Sequence, residues 1–399
     1  MIRTLRTRYN AAFQQSRYDR FIHDMDTAYR YPIGFKVSET PLFLSRELRD
    51  DLLNACETII ATLQTDDYKA RTRDALPTGY AVPNEDAHST FLQFDFAICQ
   101  DTSGRYVPRL IELQGFPSLF AFQAYLDSKT REYFDIPADL SAYFNGLDYD
   151  GYVELLRQTI IADSDPEQVV LMDAQPDQQK TRMDFACTEA LLGIRSVCVS
   201  DIKRHGRTLF YERDGRTIPI TRIYNRLIRD DPQFMALSAS DTEWLSEAVD
   251  VTWVGHPNWF YKISKYSLPL LHNPYTSEAY FLRDLMHYPP DLENFVLKPL
   301  FLFSGAGIEL DITSAQLDAL PNRDNYILQH KVQYAPLVET PDGYANAEVR
   351  IMGIWNGSEA PRMIGNLVRM SKGRMMGVRF NVGKTWVGSS IAYSPYLNI

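Results

Sequence analysis

Apolar and polar positions alternate most regularly between residues 91 and 114, where FLQFDFAIC and YVPRLIELQ flank the turn sequence QDTSGR. Period-two alternation on both sides of a turn predicts an antiparallel hairpin. Upstream, SRELRDDLLNACETIIATL (45–63) places apolar residues three and four apart behind a serine, the pattern of an amphipathic helix with an N-terminal cap. The spacing also predicts a helix over 17–28, with an extended piece around Pro32 and Pro41 between the two. The first 21 residues, MIRTLRTRYNAAFQQSRYDRF, lack the apolar core of a secretory signal, and their basic, tyrosine-containing pattern predicts an exposed helix.

Beyond a helix-prone region (120–158) lies VVLMDA (169–174), short and wholly apolar, as strands buried between helices are. TRMDFACTEALLG (181–193) reads as a helix stopped by Gly193, and SVCVSDI (196–202) as the next strand, so the segment predicts a βαβ unit. LFYERDGRTIPITRIYNRL (209–227) is a polar hairpin, 241–271 mixes helix and loop, and the chain from Phe295 onward is mostly strand with turns at Asn322, Asp342 and Asn356. No internal repeat or low-complexity tract stands out.

Composition narrows the field. A chain of 399 residues with 45% hydrophobic and 23% charged positions is globular and long enough for two or three packed domains. Its 41 basic and 51 acidic residues leave a net charge of −10, which argues against a general nucleic-acid or anionic-membrane surface and leaves room for a local cationic pocket. Cys56, Cys99, Cys187 and Cys198 sit in apolar surroundings without CxxC spacing, the pattern of reduced core cysteines in a cytoplasmic protein. No apolar run approaches the ~18 residues of a membrane span.

Candidate chemistry concentrates in three places. In FVLKPLFLFSGAGIEL (295–310), Lys298 and Pro299 end a strand, Ser304, Gly305, Ala306 and Gly307 form a small-residue loop, and a second strand follows. An ammonium facing loop amides suits a polyphosphate, although a plain hairpin with a solvated lysine uses the same residues. On the first hairpin, Asp95 and Glu112 each have apolar neighbours, and Gln114 shares the face of Glu112. These three could ligate one Mg²⁺, or they could solubilise an exposed face. Third, AEVRIMGIW (347–355) carries Glu348 and Arg350, and NLVRMSKG (366–373) carries Arg369 and Lys372. Arg350 and Arg369 sit within apolar runs, where a guanidinium needs a carboxylate or phosphate, whereas Lys372 and Arg374 read as surface cations.

In combination, LKPLFLFSGAGI (297–308), YILQHKV (326–332), AEVRIMGI (347–354) and DFAICQDTSGRYVPRLIELQGFPSL (95–119) resemble the parts of an ATP-grasp enzyme. The last of these, matching metal-binding strands that ordinarily end the fold, comes first here. The order resembles the circularly permuted ATP-grasp proteins typified by the synthetase domain of glutathionylspermidine synthetase, over roughly residues 91–381. The resemblance implies an α+β and α/β chain: N-terminal helices plus permuted metal-binding strands (1–160), a small βαβ substrate-side domain (161–275), the ATP-grasp nucleotide lid (276–345) and strands completing its core (346–399).

It further implies ATP at Lys265, Lys298, the Ser304, Gly305, Ala306 and Gly307 loop, and the hinge residues Gln329, Lys331 and Val332, with Lys262 a competitor for Lys265. Asp95, Glu112 and Gln114 match the Mg²⁺ ligands, and Arg350, with Arg369, matches a catalytic cation. Tyr224, Asn225 and Arg226 match a substrate pocket, although a buried strand end accounts for them as well. Gln114 departs from the usual asparagine, and Gln93 stands where the glutathionylspermidine synthetases carry an arginine. No cysteine-peptidase amidase domain is seen. The implied activity is an ATP- and Mg²⁺-dependent carboxylate–amine ligase acting on small, peptide-like acids and amines, in the cytoplasm, without nucleic acid or membrane. A nucleotide-binding regulatory or scaffold protein and an ATP-dependent phosphotransferase are the other readings. The sequence does not show the oligomeric state.

GKT (383–385) lacks the glycine a P-loop needs five residues earlier, since Gly377 lies six before Gly383, and TWVGSS (385–390) reads as strand rather than helix. His256 and His330 lie without metal spacing, and the 13% aromatic content reads as core.

Overall fold

The computed structural model describes residues 1–29, 31–302, 305–376 and 380–396. Its largest sheet is antiparallel and runs in the order Gly388–Ser390, Arg362–Ser371, Gly343–Ile354, Phe91–Gln100, Tyr106–Gln114. The two strands of the alternating hairpin form its far edge, as their pattern predicts, and the strand carrying Glu348 and Arg350 lies at the centre. Phe94, Phe96, Ile98, Val349, Ile351 and Val368 turn to one face and form a core with Leu48, Leu52, Cys56 and Ile59 of the helix Arg46–Leu63. That helix begins where the sequence predicts, with the Ser45 hydroxyl accepting from the Leu48 N–H.

One irregularity sets the chemistry of the opposite face. The pairing passes from Asp95 with Glu112 to Phe96 with Leu110, so Ile111 is an extra, unpaired residue. In a regular strand Leu110 and Glu112 would share a face. The bulge puts them on opposite faces, so that Leu110 joins the core while Glu112 stays beside Asp95.

The predicted βαβ unit is present in a parallel sheet ordered Thr252–Val254, Arg222–Asn225, Val169–Asp173, Arg195–Cys198. Its crossover helix Arg182–Leu192 ends at Gly193 in the left-handed conformation, φ +73°, which glycine adopts without strain. The hairpin read over 209–227 divides: Thr208–Arg213 and Arg216–Ile220 pair with each other, while Arg222–Asn225 enters the parallel sheet. A small antiparallel sheet, Ala279–Phe281, Tyr326–His330, Phe295–Pro299, holds Lys298 and has its own core around Leu282, Phe295, Leu297 and Leu328. The strand expected over 308–310 amounts to one bridge, Leu297 to Glu309.

Two further expectations are corrected. The N-terminal segment forms helices Arg3–Ala12 and Gln15–Thr27, but they are not exposed: Tyr9, Tyr18, Phe21 and Met25 are buried, and Arg6 donates to the Pro41 carbonyl at 3.0 Å. Long amphipathic stems hid an inward face that composition alone reads as surface. The helix-prone region divides into Phe120–Tyr133 and Tyr149–Ile160 around a short strand, Leu140–Ser141. The segment after GKT is a strand, Gly388–Ser390, and no described helix is long and apolar enough to cross a membrane. All four cysteines are free.

Ser45→Ala should lower unfolding free energy by about 1 kcal/mol through the lost cap, and Ile351→Ala by about 2–5 kcal/mol through the cavity left in the core. Urea melts of both variants check the ranking, and equal losses would overturn the account of the core.

Candidate functional site

The polar face of the central sheet is organised by cross-strand register. Arg350 lies opposite Asp95, and Asp95 opposite Glu112; Arg369 lies opposite Glu348. Two of these rows, Arg350 with Asp95 and Arg369 with Glu348, bring opposite charges into contact in the sheet interior, while Asp95 and Glu112 are like charges that need cations beside them. Arg350 grips Asp95 with both arms, Nε to Oδ1 at 2.5 Å and Nη2 to Oδ2 at 2.7 Å, and its Nη1 donates to Gln93 Oε1 at 2.8 Å. Arg369 Nη2 reaches Asp95 Oδ2 and Glu348 Oε1, each at 2.6 Å. Asp95 is 1% exposed. Burial pushes its carboxyl up, but Arg350 and Arg369 more than reverse this and hold it at about 2. Burial lifts Glu348 to about 7 against the opposing pull of Arg369.

Two lysines enter from outside the sheet. Lys265 begins a 3₁₀ helix, Lys265–Leu270, capped by Ser264; its Nζ lies 2.9 Å from Glu112 Oε1 and donates to the Leu302 carbonyl at 2.6 Å. Lys262 turns away to Glu85 and the Trp259 ring, so of the two competitors only Lys265 joins this cluster. Lys298, next to last in Phe295–Pro299, donates to the Ile111 carbonyl at 3.0 Å, the carbonyl of the bulge residue. Burial draws its ammonium down to about 8, with Glu112 the main opposing influence. The small sheet meets the same edge through Gln329, whose Nε2 donates to the Leu110 carbonyl at 3.3 Å.

The remaining nucleotide candidates are more scattered. Gly305 and Gly307 adopt φ of +70° and +68°, and a Cβ on Gly307 would stand 3.0 Å from Pro299 Cγ, so a glycine is required there. Ala306 lies between them at the exposed surface, and Ser304 lies outside the described residues. Lys331 Nζ donates to the Glu293 carbonyl at 2.6 Å and stays with its own sheet, and Val332 follows it, half-buried. Lys372 pairs with Asp342 and Thr340, and Arg374 with Asp311.

Tyr224, Asn225 and Arg226 end a parallel strand and are 1%, 1% and 4% exposed. Arg226 Nη1 meets Asp184 Oδ2 at 2.5 Å, and the Asp184 carboxylate accepts from the N–H groups of Leu119 and Phe122, each at 3.0 Å. The arginine thus supports the carboxylate that caps the helix Phe120–Tyr133, which is the buried strand-end alternative rather than an open pocket. Gln93 Nε2 donates to the Ser118 carbonyl at 2.8 Å, joining the central sheet to that same helix entry. Sequence reasoning missed Asp184, Tyr334, whose hydroxyl donates to Glu348 Oε2 at 3.4 Å, and the acceptor role of Gln93, and left Glu348 without a role. For Glu348 the signal was available, because it alternates in phase with Arg350.

Asp95, Glu112 and Gln114 lie on neighbouring strands, Asp95 opposite Glu112 and Gln93 opposite Gln114. Their surroundings do not fit a resident dication. Both Asp95 oxygens are held by guanidinium groups and Glu112 Oε1 by Lys265, and among the described residues no group of three or more His, Cys, Asp or Glu side chains is placed to hold a metal. In this structure the same carboxylates neutralise buried cations.

No family model and no curated protein matches the sequence. Among solved structures, the chain is similar to a glutathione synthetase-like effector from Globodera pallida in its apo form, with a TM-score of 0.57 and 13% identity over 96% of each chain. At that identity the likeness is one of fold alone.

A buried acid whose pKa is raised contributes its stability below its ordinary value and loses it as pH rises through about 7. Glu348→Gln cannot lose a proton, so its melting temperature should gain on the parent between about pH 5 and about pH 8. A constant difference across that range would show that Glu348 is ionised throughout.

Proposed function

We propose that the protein is an ATP-dependent carboxylate–amine ligase that forms an amide through an acyl phosphate and releases ADP and phosphate. The observation that carries this reading is the convergence of Lys265, Lys298, Arg350 and Arg369 beside one sheet face, flanked by the glycine-containing loop, in a fold shared with a glutathione synthetase-like effector. The strand order, with the hairpin 91–114 ahead of the nucleotide elements, supports a circularly permuted ATP-grasp arrangement divided at about residues 160, 275 and 345.

In this reading a substrate carboxylate oxygen attacks the γ-phosphorus and the bond to ADP breaks. An amine nitrogen then attacks the acyl carbon, phosphate leaves with the bonding pair, and the amine proton passes to solvent. Lys298 and Lys265 meet the β- and γ-phosphate oxygens, and Arg350 and Arg369 stabilise charge on the transferring group. Lys298 is the most readily recruited, because it leaves only a carbonyl dipole. The loop at Gly305 and Gly307 excludes water from the acyl phosphate. Mg²⁺ accompanies ATP as its counter-ion, and no step is assigned to it. The substrates are small, peptide-like acids and amines. A second reading, a nucleotide-binding protein without turnover, is favoured by one specific feature, the double guanidinium grip on Asp95.

Incubation with ATP and mixtures of small acids and amines should release ADP only when both are present, while Lys298→Ala should weaken ATP binding about tenfold or more at unchanged melting temperature. Unchanged affinity in that variant would remove the nucleotide assignment. Binding without ADP release would favour the second reading, and ADP release with acid alone a phosphotransferase.

A further inference from the structure

We infer that this site takes up a polyphosphate in the absence of divalent metal and takes up no free divalent ion ahead of it. The inference rests on the nucleotide reading above and specifies how that site fills.

Asp95, Glu112 and Glu348 offer six carboxylate oxygens, and five are engaged: both of Asp95 by Arg350 and Arg369, Glu112 Oε1 by Lys265, Glu348 Oε1 by Arg369 and Oε2 by the Tyr334 hydroxyl at 3.4 Å. A hard dication collects about six oxygen ligands and tolerates poorly the loss of hydration that a single free oxygen leaves uncompensated. To reach Asp95 it would have to displace a guanidinium that grips both oxygens.

The donors show the opposite condition. Lys298 spends its ammonium on one neutral carbonyl, and Arg369 Nε is buried with no hydrogen-bond partner among the described residues. A buried, unpartnered N–H of a guanidinium is costly, and an incoming phosphate oxygen satisfies it. The charge count agrees: four cations (Lys265, Lys298, Arg350, Arg369) stand against three carboxylates (Asp95, Glu112, Glu348), a formal excess of one positive charge. In a low-dielectric setting that excess repels a bare dication and attracts a polyanion. Once phosphate oxygens draw Arg369 or Lys265 toward themselves, carboxylate oxygens are released, and only then does a metal position open.

The test uses the full chain in two titrations. Mn²⁺ is titrated without nucleotide and followed by the electron paramagnetic resonance of the free ion; ATP and inorganic tripolyphosphate are titrated calorimetrically in EDTA and again in Mg²⁺. The expected results are no Mn²⁺ bound at submillimolar concentration and polyphosphate affinity in EDTA within about threefold of that in Mg²⁺, a difference of about 0.7 kcal/mol. Arg369→Ala, which frees Glu348 Oε1 and leaves Asp95 Oδ2 held by Arg350 alone, should gain Mn²⁺ affinity by about tenfold or more. Tight Mn²⁺ binding by the parent chain, or nucleotide binding seen only with Mg²⁺, would overturn this inference and leave the ligase reading standing. No nucleotide binding in either buffer would overturn both.

Discussion

The buried pair between Arg350 and Asp95 is the constraint around which the central sheet is arranged. Neither charge is tolerable there alone, and removing one partner of such a pair costs about 3–5 kcal/mol because the other is left unpaired. The pair therefore dictates its neighbours. Gln93 takes the guanidinium nitrogen that Asp95 cannot reach, Arg369 takes the remaining lone-pair direction of Asp95, and Glu348 accompanies Arg369. Five side chains from three strands are thereby fixed in one register, since a slip of one residue would turn each of them into the apolar core.

That register also explains how distant parts of the chain come to share a site. The edge strand Tyr106–Gln114 receives the small sheet through two of its carbonyls, Leu110 with Gln329 and Ile111 with Lys298. On the other side, Gln93 extends the network to Ser118, and Asp184 with Arg226 holds the helix that begins there. A continuous polar path thus runs from the small sheet, across the charged face, to the ends of the parallel strands. The sheets are joined by oriented hydrogen bonds, those of Lys298 and Arg226 charge-assisted, which fix direction as well as proximity.

Much of the local structure was legible in the sequence because it depends on residues close together. The serine cap of helix Arg46–Leu63, the alternation of 91–114 and the glycine stop at Gly193 are each read within a few positions. The site was legible only as a set of residue types. Asp95 and Arg350 are 255 residues apart, and Arg226 and Asp184 are 42 apart; nothing in either stretch announces its partner. The apolar runs around Arg350 and Arg369 did say that a counter-charge was required, without saying that Asp95 would supply it and so be withdrawn from a metal. The inward face of the N-terminal helices escaped for a different reason: tyrosine and arginine bury their stems while keeping polar tips bonded, so their composition reads as surface.

The unpaired residue at Ile111 carries a consequence of another kind. Its contribution to the site is made by main chain, since the carbonyl that holds Lys298 would be present whatever side chain stood there. What the arrangement depends on is the number of residues between Tyr106 and Glu112. Among diverging copies of such a chain, identity at this position is therefore free to drift while its count is not, and the change that most thoroughly rewires the face is the loss or gain of one residue in that strand. Two sequences could differ at position 111 and still share this geometry, whereas two that agree at every charged position but differ in the length of that strand by one would not.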